Sequence, residues 1–442
     1  MSKIFLIINI IAIGLFGASS VFADSHTQDY SVSGLFIFNT LLFLIGGFLV
    51  MWMAAGFAML ETGLVRAKNA STQLTKNVAL FSLASIAYFI VGYNLMYPGD
   101  GGWSIEGWLG AFSLTSLEPV GVGAEGVDLE YASVGSDFFF QLMFCAATAS
   151  IVSGTVAERV KLWPFLIFTV ILTGIFYPIS ASWKWGEGWL DAMNFQDFAG
   201  STVVHATGAA AALAGALVIG ARHGRYKDDG SVIPMPGSNL PLATLGMFIL
   251  WLGWFGFNGG SQLAMGTIGH ISDVSRIFAN TNTAAAGGAV AALILTQVLY
   301  GKSDLTMVLN GALAGLVSIT AEPLEPSLWL ATIIGAIGGI IIVFSVPILD
   351  RLKIDDVVGA ISVHGIAGIW GTLAVVLSNS KATLGTQIIG TVSISLFTFI
   401  FSYIAWLILD MAMGVRVSQE NEIEGLDKSE LGIDAYPEFT KN

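Results

Sequence analysis

Charge is what this sequence has least of. Only 11% of its 442 residues are Asp, Glu, Lys or Arg, against roughly 25% in an ordinary soluble domain. A soluble core of this length would need a polar surface that these residues do not supply. Cysteine is nearly absent too. Cys145 stands alone, which excludes an intramolecular disulfide, and its apolar surroundings make it a small packing residue. No nucleophile–base pair and no cofactor motif can be read, so the chain is not expected to be an enzyme, to hold a cofactor or to bind nucleic acid.

What is present is apolar length. Hydrophobic residues make up 55% of the chain, gathered in runs of the size that crosses a bilayer. This is the composition of an all-α polytopic membrane protein, and the net charge of −13 has to be read by location. The first residues, "MSKIFLIINIIAIGLFGASSVFAD", carry Lys3, a short apolar run and small residues around Ala23. They read as a secretory signal peptide over 1–23, cut after Ala23, which leaves the mature N-terminus on the extracytoplasmic side. The alternative is an uncleaved first span.

After this leader, eleven spans are expected near 35–58, 77–97, 137–157, 162–182, 198–221, 240–260, 278–299, 304–320, 328–349, 357–377 and 386–413. The transmembrane domain then covers 24–413, and 414–442 is a tail. With the N-terminus outside, an odd number of spans puts the C-terminus inside. The basic residues test this independently. Of the 18 lysines and arginines, Lys3 belongs to the leader, and Lys184, Arg276 and Lys381 fall in segments expected outside. All the others fall inside, as the positive-inside rule demands. Small-residue stretches such as "GAAAALAGA", "AAAGGAVAA" and "GAIGGI" predict close helix approach.

The spans contain two histidines, in matching surroundings. "DFAGSTVVHA" runs from Asp197 to Ala206 and "DVVGAISVHG" from Asp356 to Gly365. Both read Asp-x-x-Gly-x-x-x-Val-His. One copy enters the membrane from outside and the other from inside, so spans one to five are expected to mirror six to ten as an inverted 5+5 repeat, with the eleventh added. Each histidine follows its aspartate at the same interval, about 12 Å along a helix. In a core about 30 Å thick, His205 and His364 arrive near the midplane, close enough to share a hydrogen bond. Such a pair can clamp a haem iron, bind a transition metal, pack as two histidines bonded to backbone, or line a pore. No Cys, Asp or Glu at that depth completes a metal shell, and the midplane of an inverted repeat is where transporter sites lie.

More chemistry gathers at the expected outer face. Trp185 lies in "WKWGEGWLD", Asp197 opens the fifth span, "WFGFNGGS" closes the sixth, and Phe144 lies below the outer end of the third. Tryptophan attracts a cation through its ring face, Ser261 accepts a hydrogen bond from a donor, and Phe144 and Phe257 can plug the path beneath. A bare cation in hydrocarbon costs tens of kcal/mol, and no ring of carbonyls or carboxylates marks an ion filter. A neutral imidazole pair suits a small neutral hydrogen-bonding molecule. Ammonium becomes one by losing a proton, and potassium cannot.

At this point the sequence resembles the ammonium transporter (Amt) family, through "FAMLETGLVRAKN" from Phe57, "FCAATASIVSGTVAER" from Phe144, "WGEGWL" from Trp185, "DFAGSTVVH" from Asp197, "GWFGFNGGS" from Gly253 and "VHGIAGIWGT" from Val363. The resemblance implies a homotrimer with one pore per subunit in a bacterial inner membrane. It implies ammonium, or methylammonium, recruited at Trp185, Phe144 and Ser261, and a stacked gate of Phe144 and Phe257. Phe140 would pair with Phe144, Asp197 would support the site structurally with Asp356 as its repeat partner, and His205 and His364 would be twin pore histidines. "ENEIEGLDKSELGIDAY", Glu420 to Tyr436, would be a cytoplasmic regulatory tail that docks under the neighbouring subunit and reports to a PII-type signalling protein; Leu431 stands where that tail usually has histidine. Glu187 adds a carboxylate beside the recruitment site. Whether a proton crosses with ammonia stays open. A sensor signalling through the tail is the rival, and the tail carries no kinase or cyclase domain.

Overall fold

The computed structural model describes residues 32–99, 101–115 and 129–439; the leader over 1–23 lies outside the described residues. Within them, apolar helices occupy the eleven expected segments: α1 (Gly34–Leu64), α2 (Ala67–Met96), α3 (Val134–Thr155), α4 (Leu162–Ser182), α5 (Ser201–Ile219), α6 (Leu240–Gly260), α7 (Ile268–Tyr300), α8 (Leu305–Thr320), α9 (Leu328–Arg351), α10 (Ile361–Leu377) and α11 (Leu384–Met413). All but α8 and α10 are long enough to cross a membrane unaided. The chain is a mostly helical polytopic membrane protein, and among the described residues two short strands, β1 (Trp103–Ile105) and β2 (Leu109–Gly110), form an antiparallel hairpin. Helices follow from the solvent. Hydrocarbon offers no partner for backbone N–H and C=O groups, so an apolar run must pair them within itself. Side chains mark where the helices start: Ser133, Asn239, Asp304 and Ser327 each accept a backbone N–H of the first turn, and Thr383 forms a capping box.

Several bounds differ from the sequence reading. α1 runs on to Leu64 and α2 begins at Ala67, beyond the hydrophobic stretches. The added turns hold polar residues that are buried against each other, Glu61, Gln73 and Lys76 among them. Their mutual pairing, not hydropathy, carries the helices onward. α5 and α10 begin later than expected because Gly200 (φ 100°) and Gly359 (φ 83°) break the chain ahead of them. Both glycines hold left-handed backbone that a side chain rarely adopts.

Close approach is built from small residues. A Cβ on Gly335 of α9 would lie 2.0 Å from the Ala284 carbonyl oxygen of α7, and one on Gly246 of α6 would lie 2.2 Å from the Leu60 nitrogen of α1. Without lipid-excluding polar glue, such backbone contact is how membrane helices pack.

One end of the bundle is rich in arginine. There Glu158 accepts from the Arg66 backbone at 2.7 Å and its Nε at 2.6 Å. Arg222 reaches Asp355 through Nε at 2.8 Å and Nη2 at 2.9 Å, and Glu158 at 3.3 Å. Burial alone would raise both carboxyls. Arg222 and Arg66 around Glu158, and Arg159 and Arg222 around Asp355, outweigh it and hold both below the usual carboxylate range. The tail packs on this same end. Asp427 accepts from the backbone of Ser71 at 3.0 Å and Thr72 at 2.7 Å, where α2 begins. Glu422 pairs with Arg416 at 2.8 Å and accepts from the His223 backbone at 2.6 Å.

Candidate functional site

At the opposite end from the arginines, a cavity of about 390 Å³ opens between α2, α3, the loop before α5 and the end of α6, with Trp185, Phe140, Phe144, Glu187 and Ser261 in its wall. Three turns of physics assemble it. The Trp185 indole N–H donates to the Asp197 carbonyl at 3.0 Å, which fixes the ring's edge and leaves its face open. Ser261 donates to the Phe257 carbonyl at 2.8 Å, so its lone pairs remain available to a donor. Phe140 meets Phe144 edge-on at 4.8 Å, and Phe144 meets Trp185 edge-on at 5.9 Å. Glu187 is exposed at the rim in left-handed backbone (φ 62°).

The floor is closed by Phe144 and Phe257, whose ring centroids lie 4.1 Å apart. Directly behind, the His205 ring stacks on Phe257 at 5.3 Å and on Trp254 at 5.1 Å. His205 and His364 then share a hydrogen bond, Nδ1 to Nδ1, of 3.1 Å. That bond decides the chemistry of a neutral pair. One ring donates at Nδ1 and keeps a bare Nε2, while the other accepts at Nδ1 and carries its hydrogen on Nε2. The pair therefore offers one acceptor and one donor beyond itself.

The aspartates act through backbone. Asp197, buried, accepts at Oδ2 from the N–H of Thr202 (3.0 Å) and Val203 (2.8 Å). Asp356 accepts from Ile361 N–H at 2.7 Å and, through its other oxygen, from the Thr155 hydroxyl at 2.9 Å. Each thus ties off the first N–H groups of a widened helical turn that carries its histidine, over Ser201–Ala206 and Ile361–Ile366. The equal spacing in sequence ends in a ring-to-ring contact, by way of a glycine break and a wide turn rather than a regular helix.

The sequence reading missed three residues here. Trp254 flanks His205 and is held by its indole N–H on the Thr320 hydroxyl at 2.8 Å. Its signal was the three-residue spacing to Phe257, which puts both on one helix face. Asp137 is a buried carboxylate in the cavity wall, with both oxygens engaged: the Tyr93 hydroxyl donates at 2.6 Å and the Tyr131 hydroxyl at 3.2 Å. Glu61 lies on the far side of the histidines in a narrow chamber of about 10 Å³, with Phe57, Ser150, Asn310, Val358 and His364. Neither carboxylate had a sequence signal, because their partners come from other helices.

Comparison with known proteins agrees with this geometry. A model of the Ammonium Transporter Family matches residues 41–436. The chain is similar to the ammonium transporter Amt2 of Archaeoglobus fulgidus, 40% identical and covering 90% of this chain and 87% of that one. It is 41% identical to a putative ammonium transporter of Synechocystis, covering 93% and 92%. Among solved structures it resembles a chain described as a sensor Amt protein (TM-score 0.83, 34% identity, 89% of this chain and 98% of that one) and Candida albicans Mep2 (TM-score 0.78, 26% identity, 93% of each). With a family match over nearly the whole chain and the same fold in its relatives, the protein belongs to the ammonium transporter family and is an ammonium transporter.

Proposed function

We propose that ammonium enters at the aromatic cavity, is held there by Trp185, Phe144 and Ser261, loses its proton at the Phe144–Phe257 gate, and passes His205 and His364 as ammonia. One observation carries this reading: a continuous file of contacts from Trp185 through Phe144, Phe257 and His205 to His364. Trp185 supplies a ring face worth about 2 kcal/mol to a desolvated cation. Past the Phe144–Phe257 pair no polar group among the described residues replaces the shell of water a charge has lost, so the uncharged form alone continues. Asp197, Phe140 and Asp356 hold the path in place without touching cargo.

The arginine-rich end is the cytoplasmic one in this proposal, by the positive-inside rule, and the aromatic cavity faces outward. The protein then sits in the inner membrane of a bacterium with its C-terminus inside, after a leader over 1–23 has been removed. Family resemblance supports a homotrimer, and a tail over 414–442 that answers to a PII-type partner. Methylammonium fits the same chemistry.

The test is electrophysiology on proteoliposomes pulsed with ammonium and then potassium. Transport of ammonium but not of potassium, altered by His205→Ala, is the expected result, and a current with it means that the released proton also crosses by a separate route. No current together with ammonia flux in a pH-based assay means that ammonia crosses alone. No transport in either assay, with ammonium still bound, overturns the transport path and favours a sensor, the role named for one structural relative.

A further inference from the structure

Glu61 is the one carboxylate in the wall of the chamber that follows the histidines. It is buried in α1. Its two oxygens are treated very differently. Oε2 accepts from the Gln73 amide, from the Asn77 amide at 2.8 Å and from the Ser153 hydroxyl at 2.9 Å. Three donors occupy every direction from which that oxygen could bind a proton. Oε1 accepts from no described residue. It points toward Gly154, where a Cβ would stand 3.1 Å from it, and that same Cβ would meet Val358, a wall of the chamber, at 2.4 Å. Any proton on this group therefore sits on Oε1, on the chamber side.

The surroundings fit a group that exchanges a proton rather than a tie. Asp137, in the outer cavity, has both oxygens engaged; Asp197 leaves Oδ1 open but is not in the wall of that cavity, so what sets Glu61 apart is an open oxygen on a residue that lines a chamber of the path. Lys76 from α2 is the charged group that acts on Glu61, and His364 from α10 shares its chamber wall. Lys76 donates to the Ser153 carbonyl at 2.8 Å and lies over the Phe165 ring, so it backs the Oε2 side. α3 presents Ser150 and Ser153, and α8 presents Asn310. The chamber has room for about one water-sized molecule.

We propose that Glu61 is the proton-exchange group at the inner end of the pore. The proposal rests on the transport path above. Ammonia that has passed His364 takes the proton from Glu61 Oε1: an N–H bond forms, the O–H bond breaks, and ammonium forms against the carboxylate, then parts from it and leaves toward the arginine-rich side. Hydronium from water on the arginine-rich side then returns a proton to Oε1.

The experiment compares wild type and Glu61→Gln in proteoliposomes, with transport measured at internal pH 5 to 8 and ammonium binding measured separately by Trp fluorescence. The amide keeps the size and cannot exchange the proton. Transport is expected to fall roughly 10²-fold and lose its dependence on internal pH, while ammonium binding at the aromatic cavity stays as in wild type. A Glu61→Gln protein that transports at the wild-type rate with the same internal pH profile overturns the proposal and leaves the path intact. Wild type that binds ammonium and transports none overturns the path instead. If Glu61→Gln does not fold, Glu61→Asp decides. A shorter carboxyl that lowers the rate and shifts the internal pH profile supports exchange, and a rate and profile both unchanged from wild type reject it.

Discussion

The two copies of Asp-x-x-Gly-x-x-x-Val-His do the same thing with unequal support. Each aspartate pins the N–H groups of a wide turn, each glycine breaks the chain, and each histidine arrives at the other. Asp197 does this with Oδ2 alone, on two N–H groups, and its buried Oδ1 has no partner among the described residues. Asp356 holds one N–H and leans on Thr155, and its neighbour Asp355 is clamped by Arg222 and accepts through its carbonyl from Arg159. The first copy also borders the aromatic cavity through Trp185, and the second borders the arginine network. A repeated motif thus fixes where a histidine stands, and the surroundings fix how much each anchor matters and what else it disturbs.

The largest asymmetry is expected at the anchors. Asp197→Ala strands two buried N–H groups and should cost about 3 kcal/mol. Asp356→Ala strands one, since the Thr155 hydroxyl can turn back to its own helix, and should cost about half as much. Thermal unfolding of the purified protein in detergent checks this, and equal losses would break the comparison.

The glycines sharpen it next. A Cβ on Gly200 would lie 2.7 Å from Val204 and 3.0 Å from the Trp185 ring, whereas one on Gly359 would meet the Asn310 amide at 2.7 Å. Both substitutions also strain the backbone by roughly 1–2 kcal/mol. Gly200→Ala should therefore raise the ammonium concentration for half-maximal transport by displacing Trp185. Gly359→Ala should lower the maximal rate with that concentration unchanged. The smallest effect is Thr155→Val, which removes one hydrogen bond from Asp356 and should cost about 1 kcal/mol in the same unfolding assay.

Much of this was legible beforehand. Long apolar runs announced the helices, since hydrocarbon permits no other way to pair a single segment's backbone. The aligned aspartates and histidines announced the pair, because a repeat written twice in one chain needs no knowledge of the fold. Trp185, Phe144, Ser261 and Phe257 were marked by residue type and by their place at span ends. Glu61 stands inside "FAMLETGLVRAKN", where residue type and spacing give it no signal. Its meaning depends on Gln73, Asn77 and Ser153, which come from two other helices. Asp137 was hidden in the same way by Tyr93 and Tyr131.

The sequence by itself determined the class of protein, the segments that form apolar helices and the pairing of the two histidines, because hydropathy and repetition act along the chain. Only the tertiary structure decided which oxygen of a buried carboxylate is saturated and which is open, where the wide turns replace regular helix, and how one cavity gathers residues from α2, α3, α6 and the loop before α5. Those are matters of direction and contact between segments, and spacing along a chain does not encode direction.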